Sequence, residues 1–293
     1  MRALLFKFII NLTSLLSLKT AHKWAAFLAN ITWRISEKQR RITTTNIALC
    51  YPDLSNEAKL ELAKKSLSET IKSMFELGIL WKKHGDNIQP LIRKIHGLDE
   101  FENALAKEKG ILMAAPHFGN WEVLNLWLSK YPGFAFLYKP PSEIKIEQLL
   151  LKYRGLSGAQ QITADAKGVR KVFKVLKDKN ILAILPDQQP KSGQGMFVPF
   201  MGQNAYTMSL FSKIAIKTQV PVIFAVAERL SEGQGFDLHF NQAPSSIYTD
   251  LEKSVITINQ EIEKMVAINP SQYQWTYRRF SIQADGSKPY KKQ

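Results

Sequence analysis

The feature that most constrains the fold is the pattern after Gly110, where short apolar runs alternate with segments of helical periodicity. This alternation is typical of βαβ units, which place parallel strands in a central sheet and helices on its faces. The pattern predicts strands over residues 111–115, 134–138, 181–185, 222–227 and 236–240. It predicts helices over residues 122–130, 143–155, 168–178, 206–217 and 251–268. The predicted fold class is therefore α/β, with a mostly parallel central sheet flanked by helices.

Two helical segments precede this region. Residues 55–81 carry apolar side chains at helical spacing, with Ser55 as an N-cap, and predict a long helix packed on the core. Residues 3–18 are mostly apolar, but a helix of that length covers only about 24 Å, short of the roughly 20 residues that a membrane span needs. They predict a hydrophobic membrane-anchoring helix, which either lies in the interface or spans by tilting or by continuing through residues 24–33. A cleaved signal peptide is the alternative, although no small-residue cleavage site follows.

The charge balance narrows the choice of partners. The chain has 40 Lys and Arg against 25 Asp and Glu, a net charge of +15, which favours nucleic acid, anionic lipid or an acidic carrier protein. A nucleic-acid-binding protein would gather basic residues on one face beside stacking aromatics, whereas here they are spread along the chain. We therefore expect no nucleic-acid partner. The single cysteine, Cys50, excludes an internal disulfide and gives no sign of an oxidising compartment.

The strongest candidate for chemistry is His117, which directly follows a predicted strand, at the edge where ligands bind in open α/β sheets. A carboxylate bonded to one imidazole nitrogen fixes the tautomer and supports the charge of a general base. Glu122 can supply it if His117 stays on the loop, because the two would lie about 140° apart on a regular helix. Amides around Asn120 and Trp121 can stabilise an oxyanion. The simpler alternative is a histidine that caps or packs against the helix.

Other kinds of site find little support. No Gly-x-Ser-x-Gly elbow supplies a protein nucleophile, so the activated hydroxyl would belong to the substrate. The run 193–195 lacks the Lys-Ser/Thr of a phosphate loop. We expect neither a metal nor a cofactor, because the remaining histidines show no ligand spacing with cysteine or carboxylate. These histidines are His22, His84, His96 and His239.

The run from Ala114 to Glu122 resembles the His-x4-acid motif of glycerolipid acyltransferases. It is most similar to the motif of the late acyltransferases of lipid A biosynthesis, the lauroyl and myristoyl transferases of Gram-negative bacteria. Other segments extend the resemblance over most of the chain: residues 46–55, 185–188, 200–207, 269–275 and 278–280. Tyr277 departs from the histidine of many members, and residues 138–141 match an Arg-Pro segment only loosely.

The resemblance implies an inner-membrane enzyme with its active site facing the cytoplasm. Such an enzyme moves an acyl chain from acyl carrier protein to a hydroxyl of an acylated, phosphorylated glucosamine disaccharide, an anionic lipid A precursor. It implies His117 as general base oriented by Glu122. The essential arginine and aspartate of the family fall on Arg154 and Asp187. The expected substrate-binding residues are Arg154, Asp187, Asn120, Lys139 and Lys191.

The resulting domain organisation is a membrane-anchoring segment over 1–33, an acyltransferase α/β domain over 34–284 and a tail over 285–293. An acyltransferase for a lysophospholipid or another glycolipid, such as a phosphoinositol mannoside, is the nearest alternative. A basic membrane-bound or nucleic-acid-binding protein without enzymatic activity is the alternative from another class.

Overall fold

The computed structural model describes residues 2–83 and 87–291. Within these ranges the α-helices are α1 (Arg2–Thr13), α2 (Leu18–Ile35), α3 (Glu37–Cys50), α4 (Asn56–Gly78), α5 (Leu98–Ala106), α6 (Trp121–Leu128), α7 (Ile144–Gly155), α8 (Ala166–Lys177), α9 (Leu210–Thr218) and α10 (Leu251–Ile268). The strands are β1 (Ile92–His96), β2 (Ile111–Ala114), β3 (Ala135–Tyr138), β4 (Gln160–Thr163), β5 (Ile181–Ile184), β6 (Gly195–Phe200), β7 (Gln203–Met208), β8 (Val222–Arg229) and β9 (Phe236–Gln242).

Seven strands form one central sheet in the order β1-β9-β8-β2-β5-β3-β4. The block from β8 to β4 is parallel, and β9 pairs antiparallel with β8. Along β2, Leu112 and Ala114 face one hydrophobic cluster while Ile111 and Met113 face another. A strand buried on both faces explains why β2 is an unbroken apolar run, as parallel strands covered by helices usually are. The predicted α/β class with a mostly parallel sheet is confirmed.

The five predicted strands are present as β2, β3, β5, β8 and β9, but four others were missed. Two of these, β1 and β4, are the edge strands of the central sheet, and their mixed polarity hid them from a search for apolar runs. The other two, β6 and β7, pair into a separate hairpin. The helix predicted over 206–217 is therefore wrong at its start, because Tyr206 belongs to β7 and α9 begins only at Leu210.

The N-terminal residues form two helices rather than one, and both pack against α4. Ile10 of α1 and Ala21 and Ala25 of α2 are fully buried. At Gly78 the backbone of α1 comes so close that an added Cβ would lie 2.3 Å from the Ile10 carbonyl oxygen. None of the helices in the described ranges combines the length and apolarity that a membrane span requires.

The predicted tail also contacts the body of the protein. Tyr290 is buried, and its hydroxyl accepts a hydrogen bond from the Phe280 amide and donates one to Asn46 Oδ1. Residues 292 and 293 lie outside the described residues.

Candidate active site

The candidate site lies where β2 and β5, two neighbouring parallel strands, end. Ala114 and Ile184 are the last residues of these strands and are in register. His117 and Asp187 each lie three residues beyond this pair, so the two segments leave the sheet side by side. The sheet register thereby brings together two predicted site residues that are 70 positions apart in the chain.

The His117 imidazole is held by the Asp187 carboxylate. Asp187 Oδ1 lies 2.8 Å from His117 Nδ1, and Oδ2 accepts the His117 backbone N–H at 3.0 Å. Burial raises the pKa of the Asp187 carboxyl, but the opposite effect of the His117 ring and its hydrogen bonds is larger. The pKa therefore lies below its usual range, and the group is ionised at neutral pH. An ionised carboxylate only accepts hydrogen bonds, so Nδ1 carries the proton and Nε2 of the neutral ring keeps a free lone pair.

The His117 ring opens onto a cavity of about 270 Å³. Met74 and Leu77 of α4 line this cavity together with Trp121, whose ring packs edge-on against the imidazole at 4.9 Å between centroids. The other lining residues are Thr70, Ser73, Gly119, Asn120, Gln272 and Gln274. The site therefore combines a tautomer-fixed base with a mainly apolar cavity.

Glu122 does not orient the imidazole, which corrects the sequence-based prediction. It lies in the first turn of α6, is buried, and its Oε1 accepts hydrogen bonds from Nε and from a terminal nitrogen of Arg154. Its Oε2 accepts from the Trp81 indole at 3.2 Å. The start of α6 directs this side chain toward α7 and Trp81, whereas the end of β5 supplies the carboxylate for His117.

Arg154 and Asp187 both bind partners within the protein, and their expected roles in binding substrate stay predictions. The Arg154 guanidinium lies over the rings of Trp81 and Phe136, at 5.9 and 5.7 Å from their centroids, and is bound by Glu122. Asp187 binds the His117 imidazole. In this arrangement Arg154 stabilises the start of α6 through Glu122.

The turn after His117 is tightly constrained by its surroundings. Gly119 has φ of 55°, and an added Cβ would lie 1.9 Å from the Ala227 carbonyl oxygen, so only glycine fits. The Gly119 amide donates to the Gln272 carbonyl at 3.0 Å. Asn120 caps α6, because its Oδ1 accepts from the Glu122 amide at 3.1 Å, and since it also lines the cavity its expected role in binding substrate stays a prediction. Its Nδ2 donates to Glu76 Oε2 at 2.8 Å, so both ends of the amide are used internally.

The two lysines expected to bind substrate are exposed. Lys139 directly follows β3, and Lys191 lies four residues after Asp187, so both belong to segments that leave the carboxyl edge of the sheet. Their role remains a prediction. Within residues 2–83 and 87–291 no group of three or more His, Cys, Asp or Glu side chains is placed to hold a metal ion, and His84 lies outside the described residues.

A buried ion cluster beneath the turn was not predicted. It consists of Arg229, the last residue of β8, with Glu69 and Glu76 of α4, and we call it the Arg229 cluster. All three side chains are buried. Two sequence signals could have revealed it: Glu69, Ser73 and Glu76 recur at helical spacing, and an arginine ends the apolar run of β8.

The Arg229 cluster makes the stability of the protein sensitive to acid. Burial raises the pKa of Glu76, but Arg229 and its hydrogen bonds outweigh this and lower the pKa from 4.5 to about 2. The pKa of Glu69 is also lowered from 4.5, with Arg229 and Lys72 outweighing burial. Because these folded-state pKa values lie below the unfolded ones, the stabilisation is present above about pH 4.5 and is lost as the pH falls toward 2.

We expect the Glu76→Gln variant to be less stable than wild type above pH 5, with a difference that shrinks below about pH 4. For Glu76 the pH-dependent part is on the order of 3 kcal/mol. Urea unfolding followed by tryptophan fluorescence across this pH range measures it. Glu61→Gln, on the exposed face of the same helix, is the control and should show no such convergence. A difference between wild type and Glu76→Gln that is constant with pH would contradict the ion-pair explanation.

Comparison with known proteins assigns the class of enzyme to which the chain belongs. A family model described as bacterial lipid A biosynthesis acyltransferase matches residues 3–281, so the chain belongs to this family and is an acyltransferase. The predicted family is confirmed.

Individual relatives carry names consistent with this assignment. The lipid A biosynthesis lauroyltransferase of Escherichia coli K12 is 24% identical over 262 residues, covering 88% of this chain and 84% of that protein. The lipid A biosynthesis palmitoleoyltransferase of Escherichia coli K12 is 21% identical over 257 residues, covering 85% and 81%. A phosphatidylinositol mannoside acyltransferase of Mycobacterium tuberculosis is 28% identical over 163 residues, covering 53% and 50%.

Proposed function

We propose that the protein transfers a fatty acyl chain from acyl carrier protein to a hydroxyl of a lipid A precursor. The observation that carries this proposal is the His117–Asp187 pair, which leaves Nε2 as a free base beside the mainly apolar cavity. The family relationship and the names of its lipid A relatives support the acceptor. The net charge of +15 suits both an acidic carrier protein and an anionic glycolipid.

The proposed reaction is a direct acyl transfer with His117 as general base. Nε2 takes the proton of the acceptor hydroxyl while the hydroxyl oxygen attacks the thioester carbonyl carbon. A new C–O bond forms, the C–S bond breaks, and the imidazolium returns the proton to the departing thiolate. Asp187 is a positioning residue that stabilises the imidazolium through Nδ1. Trp121 lines the cavity and is the first residue of α6. Its backbone amide, at the N-terminus of the helix, is suited to stabilise the oxyanion of the tetrahedral intermediate.

The acceptor headgroup is expected to bind at the carboxyl edge of the sheet. Lys139 and Lys191 are exposed cations on segments that follow β3 and β5, and they can meet the phosphates of an anionic glycolipid. Arg154 has a different role in this proposal, because its guanidinium already binds Glu122. It supports the start of α6 rather than the phosphate.

The test of the function is a product assay with purified protein. Acyl carrier protein thioesters are incubated with a lipid A precursor, a lysophospholipid and a phosphatidylinositol mannoside, and the products are identified by mass spectrometry. We expect one new acyl ester on the lipid A precursor. A product found only on another acceptor would reassign the substrate, and no ester on any acceptor from the folded protein would refute the proposal.

We further propose that the protein attaches to a bacterial inner membrane through the outer face of α1 and α2, with the active site on the cytoplasmic side. This face exposes large apolar side chains, including Leu4 (74% exposed), Phe8 (62%) and Leu15 (81%) on and just after α1, and Trp24 and Phe27 (both 54%) on α2. Exposed apolar side chains on two short adjacent helices suit an interfacial attachment, which brings the acceptor lipid to the protein. Lys19 and Lys23 on α2 add attraction to an anionic surface.

Changing Leu4, Leu5, Phe8 and Ile9 to serine should turn a salt-resistant attachment into a salt-sensitive one. Screening removes only the electrostatic part of binding, so wild type should stay on phosphatidylglycerol-containing vesicles at high salt while the variant is released. Co-sedimentation at low and high salt measures this. The control changes four exposed apolar residues elsewhere, Leu54, Leu60, Ile268 and Ile282, and should behave as wild type. Release of wild type by salt alone would contradict hydrophobic insertion.

A further inference from the structure

The Arg229 cluster lies directly beneath the turn that carries His117. The Arg229 guanidinium binds both oxygens of Glu76, and its Nη1 donates to Glu69 Oε2 at 2.8 Å. Lys72 binds the second oxygen of Glu69, and His22 of α2 lies 2.6 Å from Glu76. Every charged member of the cluster therefore has an oppositely charged or hydrogen-bonding partner within the protein.

Hydrogen bonds connect the cluster to both residues of the turn, Gly119 and Asn120. Glu76 Oε2 accepts the Nδ2 hydrogen bond of Asn120 at 2.8 Å, and Asn120 in turn caps α6. The Ser73 hydroxyl donates to the Gly119 carbonyl at 2.8 Å and accepts from Arg229 Nη2 at 2.7 Å. The two residues of the turn, Gly119 and Asn120, are thus each bound by α4 or by Arg229.

The opposite side of the turn is linked through Gln272 to the backbone of the same arginine. The Gln272 side chain accepts from the Arg229 amide at 2.8 Å and donates to the Arg229 carbonyl at 2.7 Å. The Gln272 carbonyl accepts the Gly119 amide, and the Ala227 carbonyl accepts the Asn120 amide. Because β8 provides Ala227 and Arg229, one strand end holds the turn from both sides.

A buried ion cluster is a costly way to gain stability alone. Taking charges out of water offsets most of their mutual attraction, and apolar replacements of similar volume are often as stable. What hydrogen-bonded ions provide instead is a single geometry, because each atom must meet a specific partner. The geometry fixed here is that of the residues joining His117 to the helix at the active site.

We propose that Glu76 is a positioning residue for acyl transfer: together with Arg229 it fixes the Gly119–Asn120 turn, and through it the placement of His117 and of the N-terminus of α6. This inference rests on the proposed function. A displacement of about 1 Å at a reacting group can cost on the order of a hundredfold in rate. Glu76 acts without touching the substrate, because Asn120 lies between it and the site.

The matched comparison is between Glu76→Gln and Glu69→Gln. Each variant removes one negative charge from Arg229 and leaves the other, but only Glu76 also binds Asn120. We expect Glu76→Gln to lower kcat by about 10- to 100-fold with KM changed less than about threefold. We expect Glu69→Gln to lose stability but to keep kcat within about threefold of wild type. Equal loss of kcat in both variants, or wild-type kcat in folded Glu76→Gln, would overturn the proposal.

A second variant guards against a failure of Glu76→Gln to fold. Ser73→Ala removes the hydrogen bond to the Gly119 carbonyl and the one accepted from Arg229 Nη2, leaves both ion pairs in place, and introduces a better helix former. It should lower kcat by about three- to tenfold and lower the melting temperature less than Glu76→Gln does, because both carboxylates of the cluster remain. The double variant Glu76→Gln/Asn120→Ala should be no slower than Asn120→Ala alone, because the proposal routes the effect of Glu76 through Asn120.

Hydrogen exchange separates this inference from the proposed function. The Gly119 and Asn120 amides are bonded to Gln272 and Ala227, so their exchange reports the turn directly. Glu76→Gln should speed this exchange at least about tenfold, whereas Glu69→Gln should not. If wild type acylates no acceptor but exchange responds in this way, the proposed function fails while the turn-fixing role stands. An active enzyme whose turn exchanges equally in wild type and Glu76→Gln refutes the inference alone.

Discussion

Replacing His117 by alanine is expected to lower kcat by about 100- to 10,000-fold, because general-base catalysis contributes this much. The loss should appear in kcat at saturating acceptor, since the imidazole acts on the proton transferred in the transition state. Asp187→Asn should lower kcat at least about a hundredfold, because an amide that donates toward Nδ1 favours the wrong tautomer. Steady-state kinetics by mass spectrometry of the product measure both effects.

The two residues should behave as one unit. The double variant His117→Ala/Asp187→Asn should be little slower than His117→Ala alone, since Asp187 serves the chemistry through the His117 imidazole. Circular dichroism and melting temperature confirm that each variant is folded. Near-normal turnover in folded His117→Ala would show that His117 is not the general base. Multiplicative losses in the double variant would show that Asp187 contributes independently of the imidazole.

Replacing Glu122 by alanine is expected to destabilise the fold by about 3–5 kcal/mol, the typical cost of breaking a buried ion pair from one side. The side chain is 2% exposed, and its removal leaves the Arg154 guanidinium without its carboxylate. The Trp81 indole loses its acceptor as well. Urea unfolding measures the free energy, and activity at a temperature where the variant is folded is measured beside it.

The control replaces the whole pair. Glu122→Leu/Arg154→Met removes both charges and should recover most of the lost stability, because apolar replacements of buried pairs are often neutral. Arg154→Lys should be intermediate, since a lysine cannot reproduce the planar two-nitrogen contact. Wild-type stability in Glu122→Ala with complete loss of turnover would instead return Glu122 to a direct role in the chemistry.

The candidate site was predictable in part because local sequence indicates where strands end and where turns precede helices. An apolar run followed by Pro116 and His117 indicates a strand end, and the Gly119-Asn120 pair indicates a turn before a helix. The same reasoning located Asp187 at the end of a second apolar run. These signals identify the residues at the carboxyl edge of the sheet, but not their neighbours in space.

The predicted hydrogen-bond partners of His117 and Glu122 were wrong because such contacts depend on distant parts of the chain. Glu122 was paired with His117 because the two are close in the chain, yet the register of β2 with β5 brings Asp187 to the imidazole. Arg154, 32 positions from Glu122, reaches the carboxylate that the sequence reasoning had assigned to His117. A contact across neighbouring strands or helices depends on sheet order, and strand periodicity does not specify that order.

By itself, then, the sequence determined the α/β class and placed His117 and Asp187 at the carboxyl edge of the sheet, because hydrophobic periodicity and turn chemistry are local properties. Only the tertiary structure decided which carboxylate serves His117, that Glu122 and Arg154 form a buried pair, and that α4 and β8 build the Arg229 cluster. The physical reason is that burial makes an unpaired charge costly, so each charged side chain takes whichever partner the packing of distant elements brings within hydrogen-bond reach.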